Sequence, residues 1–198
     1  MINIAVLVSG GGTNLQALID AQGKVLQHGK IKIVISSKPD VYALQRAENA
    51  GINHCVIAKR DYVTQEEFSN ALLKQLQSNQ IDMIVLAGYL SILDETIIRA
   101  YPNRIINIHP SLIPSFCGKG YYGLKVHEAA LAYGVKVTGA TVHIVNEIPD
   151  GGKILLQKAV DILPSDTAEI LQQRVMEEAE WILLPQATEM IAKEIEGK

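Results

Sequence analysis

Short apolar runs alternate with stretches of helical periodicity through the first half of the chain, and that alternation is the main signal of its architecture. Residues 2–8, 31–35, 54–57 and 83–86 are rich in Val and Ile and too short for helices, which predicts buried strands. Between them, residues 13–21 read as a helix, with Thr13 and Gln16 at capping-box spacing. Residues 41–50 read as a second helix, stopped by Gly51. Thr64 and Glu67 form another capping box, and Phe68, Leu72, Leu73 and Leu76 then make one apolar stripe. Strands separated by helices imply right-handed βαβ crossovers and a parallel sheet.

The pattern changes after residue 100. Residues 104–108 read as a further strand and 124–133 as a helix. Residues 136–145 and 154–160 read as two strands joined by a Pro149-Asp150-Gly151-Gly152 turn. From Thr167 a long amphipathic helix is expected, with Leu171, Val175, Ala179 and Ile182 on one face and Pro185 kinking or interrupting it. The expected fold is a single α/β domain of Rossmann-like type. It has a mostly parallel, twisted sheet flanked by helices, an antiparallel C-terminal hairpin and a long C-terminal helix.

Composition adds limits. The 198 residues are 48% hydrophobic, enough for a core that needs no staple. A net charge of −3 argues against a nucleic-acid surface but leaves room for a small anion held by local donors. Cys55 and Cys117 form neither a metal spacing nor a disulfide framework, so a reducing cytoplasm is the expected location. Residues 2–8 lack a basic flank and are too few to span a bilayer, so a strand is expected there rather than a signal.

Two segments carry candidate chemistry. In Asn107-Ile108-His109-Pro110-Ser111-Leu112 an extended backbone turns Asn107 and His109 to one side and Ile106 and Ile108 into the protein. A hydrogen-bond donor beside a proton carrier suits acyl transfer, although an isolated His is more often structural. Ser9-Gly10-Gly11-Gly12-Thr13-Asn14 joins the first strand to the first helix, a sound site for a phosphate. It matches neither the Walker nor the dinucleotide pattern. Gly118-Lys119-Gly120-Tyr121-Tyr122-Gly123 does spell G-x-G-x-x-G, but a Pro-containing loop leads into it instead of a strand, so a mobile loop beside a site is expected.

Taken together, residues 9–15, 107–114 and 143–152 resemble the formyltransferases that use 10-formyltetrahydrofolate, and the resemblance covers essentially the whole chain. The Ser-Gly-Gly-Gly-Thr-Asn-Leu loop is most similar to the members serving de novo purine (IMP) synthesis. What the resemblance implies is transfer of a formyl group from that cosubstrate to the amine of 5-phosphoribosylglycinamide. Residues 1–100 would form the ribonucleotide-binding half and 101–198 the folate-binding and catalytic half. Gly12, Thr13 and Asn14 would hold the phosphate and Glu180 the glycinamide amine. Leu90, Ser91, Ile92 and Leu93 would line the pterin pocket, with Gln65, Asn107, Val145 and Glu147 among the folate contacts. Asn107, His109 and Asp150 would be catalytic: Asn107 donates to the developing oxyanion and His109 acts as acid, kept charged by Asp150. The meeting of Asp150 with His109 is itself implied only by the resemblance. No metal, no Ser or Cys nucleophile, no membrane and no nucleic acid is implied, and the chain would work as a monomer or homodimer.

Ser91 and Gln65 stand where such relatives usually carry Arg; either Lys59 or Arg60 supplies the lost charge or the folate tail is held more loosely. Residues 117–124 look several residues longer than the usual loop and are candidates for a lid. His143 reads equally as an orienter of the site or as a plain buried His, and Tyr121 and Tyr122 either stack on the pterin or pack on their own loop. A surface or capping role is expected for His127. His28 and His54 read as bystanders, Glu177 and Glu178 as a solvated helix face. Two rival functions remain: a 10-formyltetrahydrofolate hydrolase, which would need no phosphate loop, and a non-catalytic phosphometabolite-binding protein.

Overall fold

Residues 1–197, as described by a computed structural model, form a seven-stranded sheet in the order β3-β2-β1-β4-β5-β6-β7. Strands β1 (Ile2–Val8), β2 (Gly29–Ser36), β3 (Asn53–Val56), β4 (Met83–Leu86) and β5 (Ile105–His109) run parallel. Strands β6 (Val137–Ile144) and β7 (Ile154–Asp161) complete the sheet in antiparallel fashion, as the hairpin pattern predicts. Around them lie α1 (Thr13–Ala21), α2 (Tyr42–Asn49), α3 (Gln65–Ser78), α4 (Glu95–Ala100), α5 (Leu124–Tyr133), α6 (Ala168–Val175) and α7 (Trp181–Glu196).

Alternation along β1 shows why its sequence is apolar from Ile4 onward, beyond the half-buried Asn3. Ile4, Val6 and Val8 pack with Leu15 and Leu18 of α1 and with Leu184 and Ile191 of α7. Ala5 and Leu7 face the other way, onto Phe68, Leu72 and Leu76 of α3 and Ile97 of α4. A strand covered on both faces has no position for a polar side chain. Phe68, Leu72 and Leu76 are fully buried, and each such side chain stabilises the fold by about 2 kcal/mol.

The capping box of α3 forms as expected: Glu67 N–H donates to Thr64 Oγ1 at 3.1 Å, and Thr64 N–H donates to Glu67 Oε2 at 3.2 Å. The box expected for α1 does not form. Gly12 is the N-cap, in the left-handed region at φ 72°, and Thr13 is already helical. Thr13 Oγ1 lies 3.6 Å from Met176 Sδ and Gln16 Nε2 donates to Asp20.

The C-terminal helix also departs from expectation. A π turn, Met176–Glu180, separates α6 from α7, and α7 runs on through Pro185. The irregularity therefore precedes the proline instead of falling at it. Leu171, Val175 and Ala179 are buried, but Ile182 is exposed and Leu183 takes its place. The wide π turn rotates the following residues, so the position three after Ala179 faces outward.

Chain connections position the site. The loop after β1 leads to α1 on one face, and the loop after β4 leads toward α4 on the other. Because β1 and β4 are neighbours, a crevice opens where the two loops part, at the carboxyl ends of the parallel strands.

Candidate functional site

The glycine loop lies at one side of this crevice. A Cβ on Gly12 would stand 2.7 Å from Ala43 Cβ, so glycine is required there by close packing as well as by φ. Nothing comes within 4 Å of the Cβ positions of Gly10 and Gly11, which leaves the backbone open to a ligand. Arg46 braces the loop from behind, its Nε donating to Gly11 O at 2.8 Å. The first N–H groups of α1 have no partner within the helix and point out of this end, where an anion is favoured.

On the other side, β5 and β6 pair so that Asn107 is opposite His143 and His109 is opposite Thr141. Ile106 and Ile108 point into the core as expected. Asn107 Nδ2 lies 3.1 Å from His143 Nε2 and 3.4 Å from Asp150 Oδ1. His143 Nδ1 is 3.0 Å from Ile144 O, an acceptor, and its Nε2 is the ring atom that faces Asn107 and Asp150. His143 is thus both buried and hydrogen-bonded, as one reading of its position has it, and beside Asn107 and Asp150, as the other has it. His109 Nδ1 stands 3.6 Å from Asp150 Oδ2, and its Nε2 is 2.9 Å from Phe116 O. Both ring nitrogens of His109 therefore face oxygen.

Asp150 is held from several sides. Gly118 N–H donates to its Oδ2 at 2.8 Å, and His143 Nε2 is 3.5 Å from its Oδ1. Burial pushes the carboxyl pKa upward, but the His143 and His109 rings and the Gly118 N–H outweigh it and hold it below the usual carboxylate range. Asp150 and Phe116 both have left-handed backbones, at φ 55° and φ 49°, strained for side-chain-bearing residues. Such strain persists where the surroundings fix it, and both residues contact His109.

Beside this cluster is a slot of about 120 Å³. Ser91, Ile92, Leu93, Asn107, Val145 and Glu147 all line it, as expected of folate contacts. Leu90 and Gln65 do not line it. Leu90 N–H is turned to Ser9, and the Gln65 side chain donates to Ser69 Oγ at 3.2 Å within α3. A larger cavity of about 510 Å³ lies between α1 and the start of α7, beside Thr13 but away from Asp150.

Glu180 is buried, unlike its neighbours Glu177 and Glu178, and Asn14 Nδ2 donates to its Oε2 at 2.6 Å. Burial pushes its pKa up to about 7, with the Asn14 hydrogen bond pulling the other way. The π turn places Glu180 here, directly against the N-terminus of α1.

His127 is fully buried in α5 instead of capping it at the surface, and neither ring nitrogen finds a partner among the described residues. The first turn of α5 faces the protein, because Val126 and Ala130 share its buried side. Burial, then the charge of His109, pushes the His127 pKa down to about 4. His28 is not without a partner: its Nδ1 pairs with Glu189 of α7. His54 has only a long contact, 3.4 Å, to Ile52 O. Nothing in the sequence signals the Phe116 carbonyl, the Gly118 N–H or the Arg46 brace, because each acts through chain folding and not through motif spacing.

The decoy glycine run lies wholly in the loop before α5, with no strand leading into it. Its Tyr121 packs edge-on against Phe116 of the same loop, and Tyr122 lies under Lys125. Among the described residues there is no group of three His, Cys, Asp or Glu side chains placed to hold a metal, and no helix long and apolar enough to cross a membrane.

Residues 2–188 match the formyl transferase family model. The chain is 43% identical over 178 residues to the phosphoribosylglycinamide formyltransferase of Haemophilus influenzae, covering 90% of this chain and 82% of that protein. It is 43% identical over 190 residues to the trifunctional purine biosynthetic protein adenosine-3 of Drosophila melanogaster, covering 95% of this chain but only 14% of that protein's length. The crystal structure of glycinamide ribonucleotide transformylase 1 from Symbiobacterium toebii superposes with a TM-score of 0.91 at 41% identity, covering 98% of this chain and 89% of that one.

Proposed function

Because this chain belongs to the formyl transferase family, we propose that it moves a formyl group from 10-formyltetrahydrofolate to the amine of 5-phosphoribosylglycinamide, a step of purine synthesis. The observation that carries the reading is the cluster of Asn107, His109 and Asp150, of which Asn107 and Asp150 line the slot, with the glycine loop across the crevice. The slot's lining suits a flat ring: Ile92, Leu93, Val145 and Ile148 are apolar, while Asn146, Glu147 and Asp150 offer polar atoms.

Residues 1–100 contribute the ribonucleotide side. The open Gly10–Gly11 backbone and the N-terminus of α1, with Gly12, Thr13 and Asn14, bind the phosphate. Glu180 lies beside them, within reach of the glycinamide end. A phosphate loop has no purpose in simple hydrolysis, which favours the transferase over the hydrolase. Residues 101–198 supply the slot and the acid–base groups.

Attack by the amine places negative charge on the formyl oxygen. Asn107 Nδ2 donates to that oxygen by exchanging its long 3.4 Å contact with Asp150 and keeping the shorter one to His143. One such donor is typically worth about 3 kcal/mol in the transition state. His109, stabilised as imidazolium by the ionised Asp150, gives a proton to the folate nitrogen as its bond to the formyl carbon breaks and tetrahydrofolate leaves, and the proton lost by the attacking amine restores the ring. The Phe116 carbonyl fixes the ring's orientation. Transfer is direct, with no nucleophile on the protein. The loop 117–124 acts as a lid, since its Gly118 N–H is tied to Asp150. The protein works in the cytoplasm, as a monomer or homodimer.

Product analysis tests the reading. Mass spectrometry is expected to find the ribonucleotide heavier by one formyl group, with no free formate. Free formate and unchanged ribonucleotide would establish the hydrolase.

A further inference from the structure

The two halves of the crevice are joined by one buried hydroxyl. Ser9 ends β1 and opens the glycine loop; Ser37 follows β2; Leu90 lies in the segment after β4. Since the sheet order is β2-β1-β4, the three meet at adjacent strand ends. Ser9 Oγ accepts the Leu90 N–H at 2.9 Å and shares a 2.6 Å hydrogen bond with Ser37 Oγ. Ser9 and Ser37 are both buried, so water does not replace either bond cheaply.

Leu90 begins the stretch whose next three residues line the slot, while its own side chain is half exposed. Its N–H is therefore fixed by Ser9 and not by apolar packing. Gly88, with φ 73°, lets the chain turn sharply just before it. On the other side, Ser9 is bonded directly to Gly10, whose carbonyl accepts the Ala43 N–H at 3.2 Å. Ser9 is thus the link through which a shift of the glycine loop would reach the slot wall.

We propose that Ser9 is a positioning residue that couples the two substrate sites, so that occupation of the glycine loop changes the affinity of the slot and the reverse. The coupling rests on the functional reading above, with a phosphorylated ribonucleotide at residues 10–14 and a folate at residues 91–93. Ser37 assists through the 2.6 Å hydroxyl–hydroxyl hydrogen bond, which holds Ser9 Oγ in place opposite the Leu90 N–H. Linkage requires the effect to be equal in both directions.

The test is calorimetric titration of 5-phosphoribosylglycinamide with and without saturating tetrahydrofolate, which carries no formyl group and so gives no turnover. In the unsubstituted protein the Kd is expected to change by about fivefold or more. Ser9→Ala is expected to bring that factor close to one, Ser9→Thr to retain it, and Ser37→Ala to give an intermediate value. An unchanged factor in Ser9→Ala overturns the coupling, and so does binding of both ligands by the unsubstituted protein with no coupling. Should Ser9→Ala not fold, an undiminished factor in Ser37→Ala overturns it instead. Failure of the unsubstituted protein to bind either ligand would remove the functional reading itself, and the coupling with it.

Discussion

Asp150 Oδ2 stands 3.6 Å from His109 Nδ1 and accepts the Gly118 N–H at 2.8 Å, so a single oxygen joins the proton carrier to the loop beside it. Asp150→Asn keeps the shape but removes the charge. It is expected to lower kcat by about a hundredfold or more, and His109→Ala by as much. Thermal melts run alongside should stay close to the parent. Retention of a normal kcat in either variant would take that residue out of proton transfer.

Asn107 has its two amide protons directed at His143 and Asp150, and one of them must be released to the formyl oxygen. Asn107→Ala is expected to cost roughly a hundredfold to a thousandfold in kcat. Asn107→Asp, which has the shape but no donor, should lose as much. A near-normal Asp variant would show that the donor is not what matters.

His127 stays neutral in the fold down to about pH 4, whereas an unfolded chain protonates it near 6.5. The stability it gives is complete above the unfolded value and is lost as pH falls through this window, by at most about 3 kcal/mol. His127→Leu removes the titration, so urea unfolding of that variant should fall less steeply between pH 6.5 and 4. Parallel curves for parent and variant would contradict the assignment.

Glu180 has the opposite sign. Its folded-state pKa is raised to about 7 from 4.5, so its contribution is present below 4.5 and lost as pH rises through 7. Glu180→Gln should abolish this slope, leaving the variant relatively more stable at pH 8 by up to about 3 kcal/mol. The Kd for the ribonucleotide should also lose its pH dependence near neutrality in that variant. Parallel changes in stability from pH 5 to 8 for the parent and Glu180→Gln would count against it.

The sheet was legible because most of its strands are short apolar runs, several rich in Val and Ile, in a chain that otherwise has helical periodicity, and because Thr64 and Glu67 mark a helix start by local hydrogen bonding alone. Asn107, His109 and Asp150 were legible for different reasons. The first two share a strand face by simple alternation, whereas Asp150 is separated from His109 by a whole hairpin strand and was placed only by resemblance. What local pattern could not show was set by tertiary packing. Thr13 and Gln16 have capping-box spacing, yet the close approach of Gly12 to Ala43 makes Gly12 the cap. Ile182 fits the helical stripe until the π turn rotates it out. His127 carries no sign of burial because its neighbours Lys125 and Glu128 are polar, and the cover comes from distant parts of the chain.

The most direct measurement is the rate of tetrahydrofolate release from 10-formyltetrahydrofolate, with and without 5-phosphoribosylglycinamide. Release that depends on the ribonucleotide and falls at least about a hundredfold in Asp150→Asn is the predicted result. Release that proceeds equally without the ribonucleotide, or none under either condition, would contradict formyl transfer by this site.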